Sequence, residues 1–153
     1  MRSSFIRILL TAVLATGLLV TAGCGSKSDK SATYASKYKA ESAQIKALGN
    51  ELGTAITGAS KLSDAQVATK FGGLAKRAHA AAAALLALTP PDSMKADNAA
   101  LSTALNKAAS DLDDIVTAAK SGDVQGAKTA TVTLINDSVP VKTAREKLNA
   151  ATK

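Results

Sequence analysis

The chain has 153 residues, 46% of them hydrophobic and only 3% aromatic, with one cysteine, one histidine, no tryptophan and a formal net charge of +7. One histidine and one cysteine are too few for a transition-metal site, and no serine or threonine sits in a recognisable nucleophile motif beside a base. The positive charge would suit an anionic partner, but the shortage of aromatic rings argues against nucleic-acid and glycan binding, both of which commonly use them as stacking platforms.

Met1 to Arg7 carries Arg2 and Arg7 and no acid, and Ile8 to Ala22 is uncharged and mostly apolar. That apolar stretch of about 15 residues is shorter than the roughly 20 a membrane span requires, and it fits the apolar region of a signal peptide. Small Ala22 and Gly23 then precede Cys24. A lone cysteine has no intramolecular disulfide partner, so an exported chain must use it otherwise or leave it a reactive thiol. The run Thr21-Ala22-Gly23-Cys24 resembles the lipobox of bacterial lipoproteins with type II signal peptides, with Thr21 where those usually carry Leu, Val or Ile. The resemblance implies removal of residues 1–23, acylation of Cys24 by palmitate-like chains, and attachment to the cell membrane with the protein exposed on the extracytoplasmic side. It divides the chain into a signal peptide over 1–23, a lipidated tether over 24–30 and a helical domain over 31–153. The Ala-rich mature part, including Leu85-Leu86-Ala87-Leu88-Thr89-Pro90-Pro91, also resembles small uncharacterised lipoproteins of high-GC Gram-positive bacteria. That second resemblance is compositional and brings no activity with it.

Gly25 to Lys30 is polar and aperiodic, the mark of a tether. Four helical patterns follow. The first spans about Ser31 to Thr57, with Tyr38, Ile45, Leu48, Leu52 and Ala55 on one face. In the second, Ser63 as N-cap and Gln66 form a capping box, and Leu62 is placed to staple against Val67. Its seam is Val67, Phe71, Leu74, Ala78, Ala81, Leu85 and Leu88, a four-three alternation that only a helix produces. Pro90-Pro91 ends it, and Asp92 or Ser93 is the expected cap of the third helix, with the seam Leu101, Leu105, Ala108, Leu112, Ile115 and Ala119. Gly122 then stops that helix and Asp123 caps the fourth. The fourth, roughly Val124 to Ala150, turns Ala127, Leu134, Val141 and Leu148 inward and contains Pro140, which predicts a kink and a freed carbonyl at Asn136.

Short connections make successive helices antiparallel neighbours, so the expected fold is all-α, an up-down-up-down four-helix bundle. An even number of helices returns the C-terminus to the lipidated end, together with the Pro90-Pro91 turn. That proximal end carries Lys27, Lys30, Lys37, Lys39, Lys95, Lys142, Arg145, Lys147 and Lys153 against Asp29, Glu41, Asp92, Asp97 and Glu146. Nearly all the excess positive charge of the mature chain should therefore face the bilayer, and anionic envelope lipid is one expected partner.

Little else is chemically suggestive. His79 sits beside the apolar seam of the second helix and reads as an edge or surface residue. Asp111, Asp113 and Asp114 form the only tight acidic cluster, and Asp111 and Asp114 share a helix face on which a weak divalent cation could bridge them, although a solvated face is the ordinary outcome. His79 and Met94 as haem ligands would be offset by about 10 Å along the bundle axis, so haem is rejected and no cofactor is expected. Gly49, Gly53, Gly72 and Gly73 interrupt helices at a cost of up to about 1 kcal/mol each. Either they allow close helix packing, or with Pro140 they mark a groove. The functional expectation is a lipid-anchored, non-enzymatic envelope module that binds a protein partner or an envelope component. The alternative is a carrier or sensor of a small apolar ligand held between the helices.

Overall fold

The computed structural model describes residues 27–153; Cys24 and the signal segment lie outside the described residues. The described chain forms four helices, α1 (Lys27–Gly58), α2 (Asp64–Ala87), α3 (Lys95–Ser121) and α4 (Val124–Ala151). Short 3-10 turns at Ala59–Lys61 and Asp92–Met94 join the first three, and there is no strand among the described residues. The fold is an all-α four-helix bundle with packing between consecutive helices.

Local chemistry explains the boundaries. Ser63 and Gln66 exchange hydrogen bonds in the expected capping box, Gln66 Oε1 accepting from the Ser63 amide at 2.9 Å. At the α3–α4 corner Gly122 adopts φ 69°, a left-handed conformation that favours glycine. The Asp123 amide donates back to the Ala118 carbonyl at 2.9 Å, which closes the helix end. The Asp123 carboxylate then caps α4 by accepting from the Gly126 amide at 2.8 Å.

Two boundaries differ from expectation. Helix α1 starts at Lys27, so four residues assigned to the tether are helical; Asp29 in the first turn favours this by complementing the helix dipole. Neither Asp92 nor Ser93 caps α3. Met94 instead donates to the Pro91 carbonyl at 2.9 Å to close a 3-10 turn and buries its side chain, while Asp92 pairs with Lys95 at 2.7 Å. Helix α4 passes through Pro140 as one helical segment.

The seams of α2 and α3 lie inward as the heptad spacing requires, with Phe71, Leu74, Leu85, Leu101, Leu105, Leu112 and Ile115 buried. On α4 only Leu134, Ala144 and Leu148 are buried. Packing is most extensive between α2 and α3 and between α3 and α4, lighter between α1 and α2, and sparse between α1 and α4. That asymmetry creates the site.

Candidate ligand cleft between the first and last helices

At the proximal end α1 is locked in place. Tyr34 and Tyr38 stack with ring centroids 5.7 Å apart and are both buried. The Tyr34 hydroxyl donates to Asn98 Oδ1 at 2.9 Å, and Asn98 Nδ2 donates to the Leu85 carbonyl at 2.9 Å, so one chain of bonds joins α1, α3 and α2. Tyr38 donates to the Arg145 carbonyl at 3.1 Å and Ser42 to Asn149 at 2.8 Å, which ties α1 to α4. Burial pushes the Tyr34 phenol up to about 12, helped by Tyr38 and Asp97, and burial also raises Tyr38. Both rings therefore stay neutral donors.

One to two turns further along, the same two helices part. Between Ile45–Leu52 of α1 and Ser138–Arg145 of α4 lies a half-open cleft of about 330 Å³. Its walls are Ile45, Leu48, Leu52 and Val141, and its floor is Leu74 and Ala78 of α2 with Leu105, Ala108 and Leu112 of α3. Small side chains explain the gap: Ala78 and Ala108 lie on the floor, and Gly49 at the rim contributes no side chain at all. A Cβ built on Gly49 would meet nothing within 4 Å, and the same holds at Gly53 and Gly73. At Gly72 it would reach only an ordinary contact of 3.7 Å with Val116. Close helix approach therefore does not account for these glycines, and Gly49 lines the groove.

The rim of the cleft is basic. Lys46 projects from α1, and Lys142 and Arg145 from α4; no carboxylate is among the lining residues. The nearest ion pair, Lys142 with Glu146 at 4.0 Å, is exposed on both sides and binds weakly. Ser138, also on the wall, already donates its hydroxyl to the Leu134 carbonyl at 2.7 Å. With a large apolar interior and a few polar groups at its mouth, the cleft has the composition of a small-molecule site.

The candidate metal and haem ligands considered from sequence lie elsewhere. His79 is exposed, its Nε2 3.1 Å from Asp113 and its Nδ1 3.2 Å from Asn106, and these two partners raise its pKa. The acidic trio is divided: Asp113 pairs with His79, Asp114 borders a shallow surface depression, and Asp111 is buried facing α4. Among the described residues no three His, Cys, Asp or Glu side chains gather where a metal ion could bind. Met94 packs into the proximal core, and exposed His79 is not brought to it.

Sequence reasoning missed a second feature, a buried acid on the α3–α4 interface. Asp111 is buried and its Oδ2 has no hydrogen-bond partner. Burial, and then the neighbouring Asp137 carboxyl, push its pKa up; Lys107 pulls Asp137 down by pairing with it directly. Helix α4 also turns Val132, Ile135 and Val139 to solvent, spaced i, i+3, i+7 on the side away from Leu134.

No protein-family model, characterised protein or solved structure matches this chain. No helix among the described residues is long and apolar enough to cross a membrane.

Proposed function

We propose that this protein is a lipid-anchored, non-enzymatic module on the extracytoplasmic side of the cell membrane, and that it binds a small apolar ligand in the cleft between α1 and α4. The cleft carries the reading. An Ala-rich bundle that served only as a docking surface would be expected to close over its core, whereas here about 330 Å³ of apolar space opens between two helices. Its lining offers no histidine, cysteine or carboxylate, so the site is suited to binding and holding rather than to acid–base or nucleophilic chemistry.

Attachment through Cys24 rests on the lipobox-like run and agrees with the position of α1. Only Gly25 and Ser26 separate Cys24 from the first helical residue, a reach of about 10 Å at most. The proximal end would then lie against the bilayer with exposed Lys30, Lys37, Lys39, Lys147 and Lys153 available to anionic headgroups.

A second reading is favoured by one observation: Val132, Ile135 and Val139 form an exposed apolar stripe of the kind a protein partner covers. Native mass spectrometry of the full-length protein, gently extracted from the membranes of its own host, separates the two. A species lacking residues 1–23 and carrying acyl groups supports the anchor. An additional mass of a few hundred daltons supports the ligand carrier, and one of protein size supports the partner. An unmodified, soluble species without ligand overturns the proposal.

A further inference from the structure

Resting on the reading of the α1–α4 cleft as a ligand site, we infer that its ligand is a single-chain anionic amphiphile of the fatty-acid class, with its alkyl chain on the apolar floor and its carboxylate at the mouth. Charge complementarity decides the class. The mouth is bordered by cations from both sides, Lys46 on α1 and Lys142 and Arg145 on α4, with no acidic group among the lining residues. An anionic head between these helices closes the gap that Gly49 leaves open; a neutral or cationic ligand would gain nothing from them.

The dimensions agree. At about 330 Å³ the cleft holds roughly twice the volume of the ~150 Å³ cavity that accommodates benzene, enough for a stretch of alkyl chain. The span from Ile45 to Leu52 is about 10 Å along the helix axis, less than two helical turns, which is short for a partner helix. Ser138, whose hydroxyl is already committed to Leu134, does not compete for the head group.

The test uses the full-length protein reconstituted in neutral phosphatidylcholine vesicles. A long-chain fatty acid carrying a mid-chain diazirine is photo-crosslinked, its uncharged methyl ester is run in parallel, and the crosslinks are mapped by peptide mass spectrometry. The acid should label the floor within 74–78 and 105–112 and the walls within 45–52 and 138–145, and the ester about tenfold less, the loss expected when a charge-assisted hydrogen bond is removed. The double variant Lys46→Glu/Lys142→Glu alters two exposed side chains and should cut labelling by the acid to the level of the ester. Gly49→Leu should block both probes; circular dichroism verifies that each variant keeps its helix content. Equal labelling of the cleft by acid and ester, unchanged by the charge reversal, overturns the anionic class and leaves the cleft reading standing. Labelling by neither probe, or without preference for the cleft, overturns both.

Discussion

Helices α1 and α4 meet twice along their length with opposite results. At the proximal end Tyr38 donates across the gap to the Arg145 carbonyl and Ser42 to Asn149, and the gap is bonded shut. Between residues 45 and 52 the facing positions include glycine and alanine, and the gap stays open. Interiors ordinarily pack closely, so the contrast is local: large side chains bond the two helices together at one end, and the space persists where glycine and alanine line it. Large residues hold the end that carries the basic excess, and small ones leave room where a ligand can sit.

Breaking the locked end should have the largest effect. Tyr38 is fully buried and supplies the only hydroxyl reaching the Arg145 carbonyl among the described hydrogen bonds. Tyr38→Ala should cost about 3–5 kcal/mol, the range for removing a buried ring, with some of the loss from the stranded carbonyl. Chemical denaturation would measure it, and hydrogen exchange should show α1 losing protection before α2 and α3. A loss below about 1 kcal/mol would mean that the end is not held in this way.

Filling the open region should do the reverse. Gly49→Leu places a side chain where a Cβ meets nothing within 4 Å and replaces a poor helix former with a good one. A gain of about 1 kcal/mol in stability is expected from propensity alone, read as a higher denaturation midpoint. A destabilised Gly49→Leu would show that the space is already occupied.

Asp111 sharpens the comparison at the level of charge. Its folded pKa is raised by burial and by Asp137, so the folded state holds that proton more tightly than the unfolded chain does. Asp111 therefore disfavours folding increasingly as pH climbs from its unfolded value, about 3.9, through its raised folded value. Asp137 acts in the opposite sense: Lys107 depresses its folded pKa, and its contribution, present above the unfolded value, is lost as pH falls through the lowered one. Asp111→Asn removes the penalty, because a neutral amide has no charge to desolvate. It should match the parent protein at low pH and be more stable at neutral pH, by on the order of 1 kcal/mol, the scale of a buried unsatisfied group. Parallel stability–pH curves for the two proteins would refute this.

Much of the fold was legible in the sequence because short-range rules set it. The four-three spacing from Phe71 to Leu85 and from Leu101 to Ala119 fixed the inner faces of α2 and α3. Ser63, Gln66, Gly122 and Asp123 marked their ends. Long-range geometry was not legible. Heptad spacing says which face of α1 points inward but not how far it stands from α4, because no short loop joins those two helices. The glycines and Pro140 pointed to a groove, but Lys142 and Arg145 were counted with the bilayer-facing cations and Lys46 carried no signal until the fold placed all three around one mouth. Asn98 and Ser102 gave no sign of burial; each is buried because its side chain bonds a carbonyl of α2, Asn98 to Leu85 and Ser102 to Ala82. Asp111 was grouped with Asp113 and Asp114 because they are adjacent in sequence, yet its decisive neighbour lies on α4.

The smallest expected effect concerns His79, which bridges α2 and α3 on the exposed side of a tightly packed pair. Asp113 and Asn106 raise its pKa, so the folded state favours the protonated ring. The stabilisation is then complete below the unfolded value of about 6.5 and disappears as pH rises through the raised folded value. Both side chains are about half exposed, at 45% and 57%, and solvent screens the pair. Its contribution should be only a few tenths of a kcal/mol at acidic pH, and it should shrink with added salt. His79→Gln should remove that small slope between neutral and mildly acidic pH while leaving stability at alkaline pH unchanged. A loss of more than about 1 kcal/mol at alkaline pH would instead make His79 part of the α2–α3 packing, contrary to its exposure.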